Sequence, residues 1–166
     1  MPELRAAEPS GLSRDTVEEI AEAFAHQIDY SPDMSLEEMV RPFGGRLTYR
    51  DFLNEGHEGS IEVYGFRDFQ VFLPIHTSGH ENRFTVAHEL GHYVLHYLHR
   101  QDRAPMFASR YGTGREEQEA DWFAPAFLID QHALKSAVRE GVSDFELELK
   151  FRVPKIALVS RRGRVA

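Results

Sequence analysis

His88-Glu89-Leu90-Gly91-His92 brings two imidazoles and a carboxylate into five residues. On an α-helix, positions i and i+4 share a face about one turn apart, so His88 and His92 can converge on one metal ion. Glu89, beside the first of them, can reach a water held by that ion. Zinc suits the pair, because it takes nitrogen and oxygen ligands without redox chemistry. The surroundings read as helix: Phe84, Ala87, Leu90, Gly91, Val94, Leu95 and Leu98 recur at helical spacing, with Asn82 as a suitable N-cap. Such a helix is largely buried, and it does not carry imidazoles and a carboxylate inward without compensation. Gly91, a poor helix former between two candidate ligands, predicts the close approach of another element.

A two-histidine site needs a third protein ligand and leaves the fourth position for water. Residues 115–124, Arg-Glu-Glu-Gln-Glu-Ala-Asp-Trp-Phe-Ala, supply the candidates. Glu117 and Asp121 are four apart and share a helix face. That spacing suits a glutamate ligand with an aspartate one turn later, accepting a hydrogen bond from the far nitrogen of a metal-bound histidine. Glu119 is the rival, but on a helix it points roughly 160° away from Asp121. Glu116 has no acidic or amide partner four residues on. The expected centre is therefore His88, His92 and Glu117, with Glu89 as the catalytic carboxylate and Asp121 behind a ligand.

Arg-Phe-Thr-Val-Ala-His-Glu-Leu-Gly-His, followed some twenty-odd residues later by Glu-Gln-Glu-Ala-Asp-Trp-Phe-Ala, resembles the ImmA/IrrE family of bacterial metallopeptidases. That family shows R-F-T-x-A-H-E-x-x-H, then E-x-x-A-N or A-D followed by F-A and a short apolar run. The resemblance covers residues 36–130 well and the two ends weakly. It implies zinc on His88, His92 and Glu117, with Glu89 as the catalytic glutamate and Asp121 where the family has its supporting Asn or Asp. It also implies a substrate, a helix-turn-helix transcriptional repressor whose cleavage releases stress-response, phage or mobile-element genes. There is one departure. Phe123-Ala124-Pro125-Ala126-Phe127-Leu128-Ile129-Asp130 replaces the family's F-A-x-x-L-L-M-P, and Pro125 is expected to kink or end its helix there.

The whole chain sets bounds on this reading. At 166 residues and 42% hydrophobic, it suits one globular domain with a real core. It has no cysteine, which excludes a disulfide frame and thiolate ligands and fits a reducing cytoplasm. Residues 1–10 have no apolar leader core, and no stretch approaches the ~20 apolar residues of a membrane span. That counts against the membrane-embedded zinc peptidases that share H-E-x-x-H. Net charge is −8, but six of the 19 basic residues and none of the 27 acidic ones lie in 150–166, so residues 1–149 carry −14. An acidic body speaks against DNA as a direct partner. The basic tail either touches DNA or docks on its own acidic domain.

Ser13 can cap a helix whose Val17, Ile20, Ala21, Phe24 and Ile28 form an apolar stripe. Ser35 and Glu38 have capping-box spacing, with Pro42 to stop that helix. Residues 46–50 read as a strand, 51–59 as a loop, and 60–64 with 69–75 as a hairpin around Gly65-Phe66-Arg67-Asp68. One strand of that hairpin is expected at a sheet edge, where it would pair with an extended substrate. His76 and His80 fall in the next loop, and either could support an oxyanion, as could Tyr97 or Tyr111. His96 and His99 read as helix-end residues. Residues 100–114 form a long connection near the site. Asp130 and Ser143 cap two further helices, and a short helix follows Pro154.

Together these predict an α+β fold: a single zincin-like domain with a small mixed or antiparallel sheet packed on the metal-binding helix, and a helical C-terminal end. Residues 1–11 form a loose lead-in, 12–141 the metallopeptidase domain, and 142–166 a small helical, basic segment. The function expected is zinc-dependent endopeptidase, with manganese also accepted by an N/N/O donor set. The alternative is a non-proteolytic zinc-binding regulatory protein that acts by binding a partner. The presence of Glu89 favours the enzyme.

Overall fold

Short polar side chains start most of the helices. Ser13 accepts from the Thr16 backbone N–H ahead of α1 (Arg14–Gln27), and Ser35 from that of Glu38 ahead of α2 (Leu36–Val40). Glu38 returns a bond to the Ser35 N–H, completing a capping box, and the chain then tightens into a 3₁₀ turn at Arg41–Phe43. The computed structural model describes residues 3–51, 59–109 and 112–165. Most of the loop expected over 51–59 lies outside the described residues, as does Tyr111.

A five-stranded mixed sheet follows, in the order β1 (Arg5–Ala6), β5 (Met106–Ser109), β3 (Gly59–Gly65), β4 (Asp68–Pro74), β2 (Gly45–Arg50). β3 and β4 form the expected hairpin, with Ile61 opposite Val71 and Val63 opposite Phe69. Arg67 takes a left-handed conformation (φ 57°) at its tip, where its N–H donates to the Tyr93 hydroxyl at 3.1 Å. Neither hairpin strand is an edge, contrary to expectation. β2 runs parallel to β4 on one side, and β5 runs antiparallel to β3 on the other. The strand β5 comes from residues 100–114, which hydrophobic patterning marks only as a connection. Its four residues are too few to show alternation.

The helix that carries His88 and His92, α3, spans Gly79–Tyr93 and lies against the sheet, with Val86, Ala87 and Leu90 fully buried. Its N-cap is Ser78, accepting from Glu81, and not Asn82. Asn82 is buried within the first turns and accepts from the Thr77 hydroxyl. His80, expected in a loop, is therefore part of α3. Beyond Tyr93 the helix widens into a π-type turn, Val94–Leu98, in which the His99 N–H reaches the Val94 carbonyl at 3.0 Å.

α4 (Arg115–Leu128) packs against α3 and α1. Pro125 does not end it. The helix runs three residues further, and the Pro125 carbonyl still accepts from the Ile129 N–H at 3.0 Å. Proline withdraws a donor but not an acceptor, so the turn after it can form. At Gly91, α3 and α4 approach closely, since a Cβ there would lie 3.0 Å from Cβ and Cγ of Phe123. Gly91→Leu is expected to destabilise the fold by at least the ~1–3 kcal/mol typical of overpacking. The check is a chemical denaturation curve, and an unchanged midpoint would refute the contact.

α5 (Gln131–Arg139), α6 (Asp144–Phe151) and α7 (Lys155–Arg162) complete the helical end, with Asp130 and Ser143 as N-caps of the first two. Leu147, Phe151, Val153, Ala157 and Leu158 join the same hydrophobic core as the sheet. The basic tail is held by the acidic face of α1. Arg161 bonds Glu22 at 2.9 Å, and Arg164 bonds Glu18 at 2.8 Å and pairs with Asp15. Among the described residues, no helix is long and apolar enough to cross a membrane.

Candidate metal centre

α3 and α4 carry the donors, and their close approach at Gly91 fixes the spacing. His88 Nε2 lies 3.3 Å from Glu117 Oε1, and His92 Nε2 lies 2.7 Å from Glu117 Oε2. One potential ligand atom from each of His88, His92 and Glu117 falls within 4.8 Å of the others, as donors around a single ion must. Asp121, one turn after Glu117, meets the other face of His88, with Oδ1 2.9 Å from Nδ1. That contact leaves His88 Nε2 as the nitrogen turned toward Glu117. Glu89 is almost completely buried, and its Oε1 lies 3.8 Å from His88 Nε2.

His88, Glu89, Glu117 and Asp121 line a cleft of about 340 Å³ with Ser60 of β3, Phe84 and Thr85 of α3, and Gly112, while His92 is fully buried beside Glu117. That volume is at the small end of ligand pockets and suits a short segment of chain. Gly112 packs directly on the third donor, since a Cβ there would meet Glu117 Cγ at 2.9 Å. All the α4 residues lining the cleft precede Pro125, so the proline leaves this wall unchanged. Larger cavities exist, such as one of about 670 Å³ beside His132, Lys135 and Arg162, but among the described residues its lining contains no carboxylate. Chemistry and not size marks the site.

The charge distribution fits a cation. Burial alone would lower His88, but hydrogen bonds to Asp121 and Glu117 and the nearby Glu89 charge outweigh it and raise its pKa to about 10. Burial dominates at His92, which is lowered to about 4. Burial would raise Glu117, but the two imidazoles overcome it and hold the carboxyl at about 2. Physically, the two rings lie with centroids 4.9 Å apart, and the carboxylates of Asp121 and Glu117 favour positive charge at His88 while burial disfavours it at His92. His92 Nε2 is buried and, despite its closeness to Glu117, makes no hydrogen bond of acceptable geometry. A nitrogen lone pair aimed into a carboxylate-bearing pocket is what a metal ion satisfies.

Sequence reasoning missed two residues next to this centre. His96, taken for a helix-end residue, is fully buried, with Nδ1 2.9 Å from His92 Nδ1 and Nε2 2.8 Å from Glu119 Oε1. Glu119, set aside as a ligand, points away from Asp121 as its helical angle requires, and lies behind His92. The available signal was the i, i+4 spacing of His92 and His96. Of the oxyanion candidates, Tyr97 is buried in a stack on Tyr93, with ring centroids 5.7 Å apart. Neither His76 nor His80 lines the cleft, and His99 is exposed.

A buried helix bearing H-E-x-x-H, a mixed sheet against it and a glutamate from the next helix define a zinc-metallopeptidase-like domain. Residues 43–161 match the model of the peptidase M78 family, described as the IrrE N-terminal-like domain, and the chain belongs to that family. Among solved structures, a Mycobacterium tuberculosis transcriptional regulator is similar at 18% identity with a TM-score of 0.58. The match covers 88% of this chain and 46% of that one, so the chain spans less than half of that protein. At this identity the likeness speaks for the fold alone. No curated protein matches the chain.

Proposed function

We propose that the chain is a zinc-dependent endopeptidase, with His88, His92 and Glu117 as metal ligands and Glu89 as general base. The observation that carries this is the buried Glu89 carboxylate beside two imidazoles and a carboxylate that converge within 4.8 Å. Zinc held by these residues would supply Lewis acidity toward water and the scissile carbonyl, and manganese would suit the same N/N/O donors less tightly. Glu89 takes a proton from the attacking water and delivers it to the leaving amine. Asp121 holds the His88 ring through Nδ1. A substrate in extended form would pair with the outer edge of β5 at Ala108 and Ser109, beyond the part that β1 covers at Met106 and Phe107.

The substrate reading, a helix-turn-helix repressor of stress, phage or mobile-element genes, rests on the family. The test is to measure bound zinc and incubate the protein with the repressor-like protein encoded nearest to it. One zinc per chain and a discrete cut are expected. A second reading has one observation in its favour: a solved protein of similar fold is a transcriptional regulator. On that reading the chain keeps zinc but acts by binding its partner. Tight binding by zinc-loaded protein with the repressor left whole would decide for it.

A further inference from the structure

On the side of His92 away from Glu117 lies a row of buried polar groups with no part in the peptidase chemistry just described. His92 Nδ1 is 2.9 Å from His96 Nδ1, and His96 Nε2 is 2.8 Å from Glu119 Oε1. The side chains of all three are completely shielded from solvent. Glu119 Oε1 also accepts from the Ser10 backbone N–H and hydroxyl, both at 2.9 Å. Glu119 Oε2 accepts from the Gly11 N–H at 3.0 Å and from Arg115 Nε at 3.3 Å. His96 itself lies in the π-type turn, a distortion that recurs at functional positions.

Each link dictates the next. Glu119 is surrounded by donors and acts as an acceptor, so the His96 nitrogen facing it must carry a proton. A neutral imidazole has one N–H, so His96 protonated on Nε2 offers a bare Nδ1. That bare Nδ1 accepts from His92, which must then be protonated on Nδ1. His92 is left with its lone pair on Nε2, the atom 2.7 Å from Glu117 Oε2. We propose that Glu119 and His96 are a positioning pair that sets the tautomer of His92 and so prepares Nε2 as a metal ligand. The proposal rests on the reading of this cleft as a zinc site. It also gives the Ser10–Gly11 segment a role, since its N–H groups fix Glu119 in place.

The chain of hydrogen bonds has a direction, and its far end can be reversed. In Glu119→Gln, a carboxamide oxygen in the Oε2 place accepts from the Gly11 N–H and Arg115, and the NH₂ then takes the Oε1 place and faces His96 Nε2. His96 then protonates on Nδ1, His92 turns its N–H to Nε2, and that proton competes with the metal. Zinc affinity, measured against a chromophoric chelator, is expected to fall ~10–100-fold, the usual effect of losing an outer partner of a ligand histidine. Long-range ¹H–¹⁵N spectra of the zinc-loaded wild type are expected to show His96 protonated on Nε2 and bare on Nδ1. His96→Asn places a carboxamide oxygen near the former Nδ1 position, so it should hold zinc markedly more tightly than His96→Leu. That contrast decides the matter if Glu119→Gln does not fold.

Folded Glu119→Gln whose spectra show His96 protonated on Nδ1 and which still binds zinc as tightly as wild type overturns the proposal, and so does a wild-type His96 protonated on Nδ1. Equal zinc affinity in His96→Asn and His96→Leu overturns it as well. Wild-type protein that takes up no zinc at all overturns the metal reading and this role with it. That outcome needs no variant and is distinct from failure of the pair alone.

Discussion

Glu89→Gln is expected to abolish peptide cleavage while zinc uptake stays close to wild type. The two side chains have the same shape, so a residue buried as deeply as Glu89 can be exchanged without opening a cavity. A carboxamide cannot accept a proton at catalytic pH, and general acid–base catalysis of this kind contributes about 10²–10⁴-fold. The loss should fall on turnover, with zinc content and partner binding preserved. Cleavage at the wild-type rate would place the base elsewhere. Loss of zinc would instead make Glu89 a supporting residue of the ligand set.

Glu117→Ala is expected to lose the metal itself. Glu117 touches both imidazoles, at 3.3 Å from His88 and 2.7 Å from His92, so its removal takes away a ligand and the partner of two others. The fall in zinc affinity should exceed the ~10–100-fold that loss of an outer partner causes. Chelator competition measures it. The wild type should also gain thermal stability on adding zinc, because the ion binds only the folded chain, and Glu117→Ala should not. A variant that kept its zinc would remove Glu117 from the ligand set.

The heart of the site was legible because its geometry is local. His88 with His92, and Glu117 with Asp121, are spaced by one helical turn, and a turn places them without knowledge of the rest of the fold. The caps at Ser13, Ser35, Asp130 and Ser143 are local in the same sense. The start of α3 was misplaced because the apolar pattern begins only at Phe84. Asn82 looked like its cap, whereas the polar turn Gly79-His80-Glu81 belongs to the helix and Ser78 holds its end. His96 and Glu119 could not be paired from sequence, because their meeting depends on how α3 and α4 lie together. The sheet edges depend on β5 and β2 flanking the hairpin, and strand order is set by crossovers that periodicity does not encode.

The contacts that complete this domain join its distant parts, which bears on how the chain assembles. The Ser10 bonds to Glu119 close a separation of 109 residues, and the Arg161 bond to Glu22 one of 139. Closing such spans is entropically unfavourable, and the compensating contacts form only afterwards, so these pairings belong to the slow, late part of folding. On the ribosome, where the N-terminal residues emerge first, Ser10 and Gly11 must wait until Glu119 has been made. The two histidines of α3 emerge before Glu117 and would hold a metal only weakly alone. On the proposed ligand set, tight capture would thus be deferred until most of the chain has been synthesised, and a half-made protein would not trap metal.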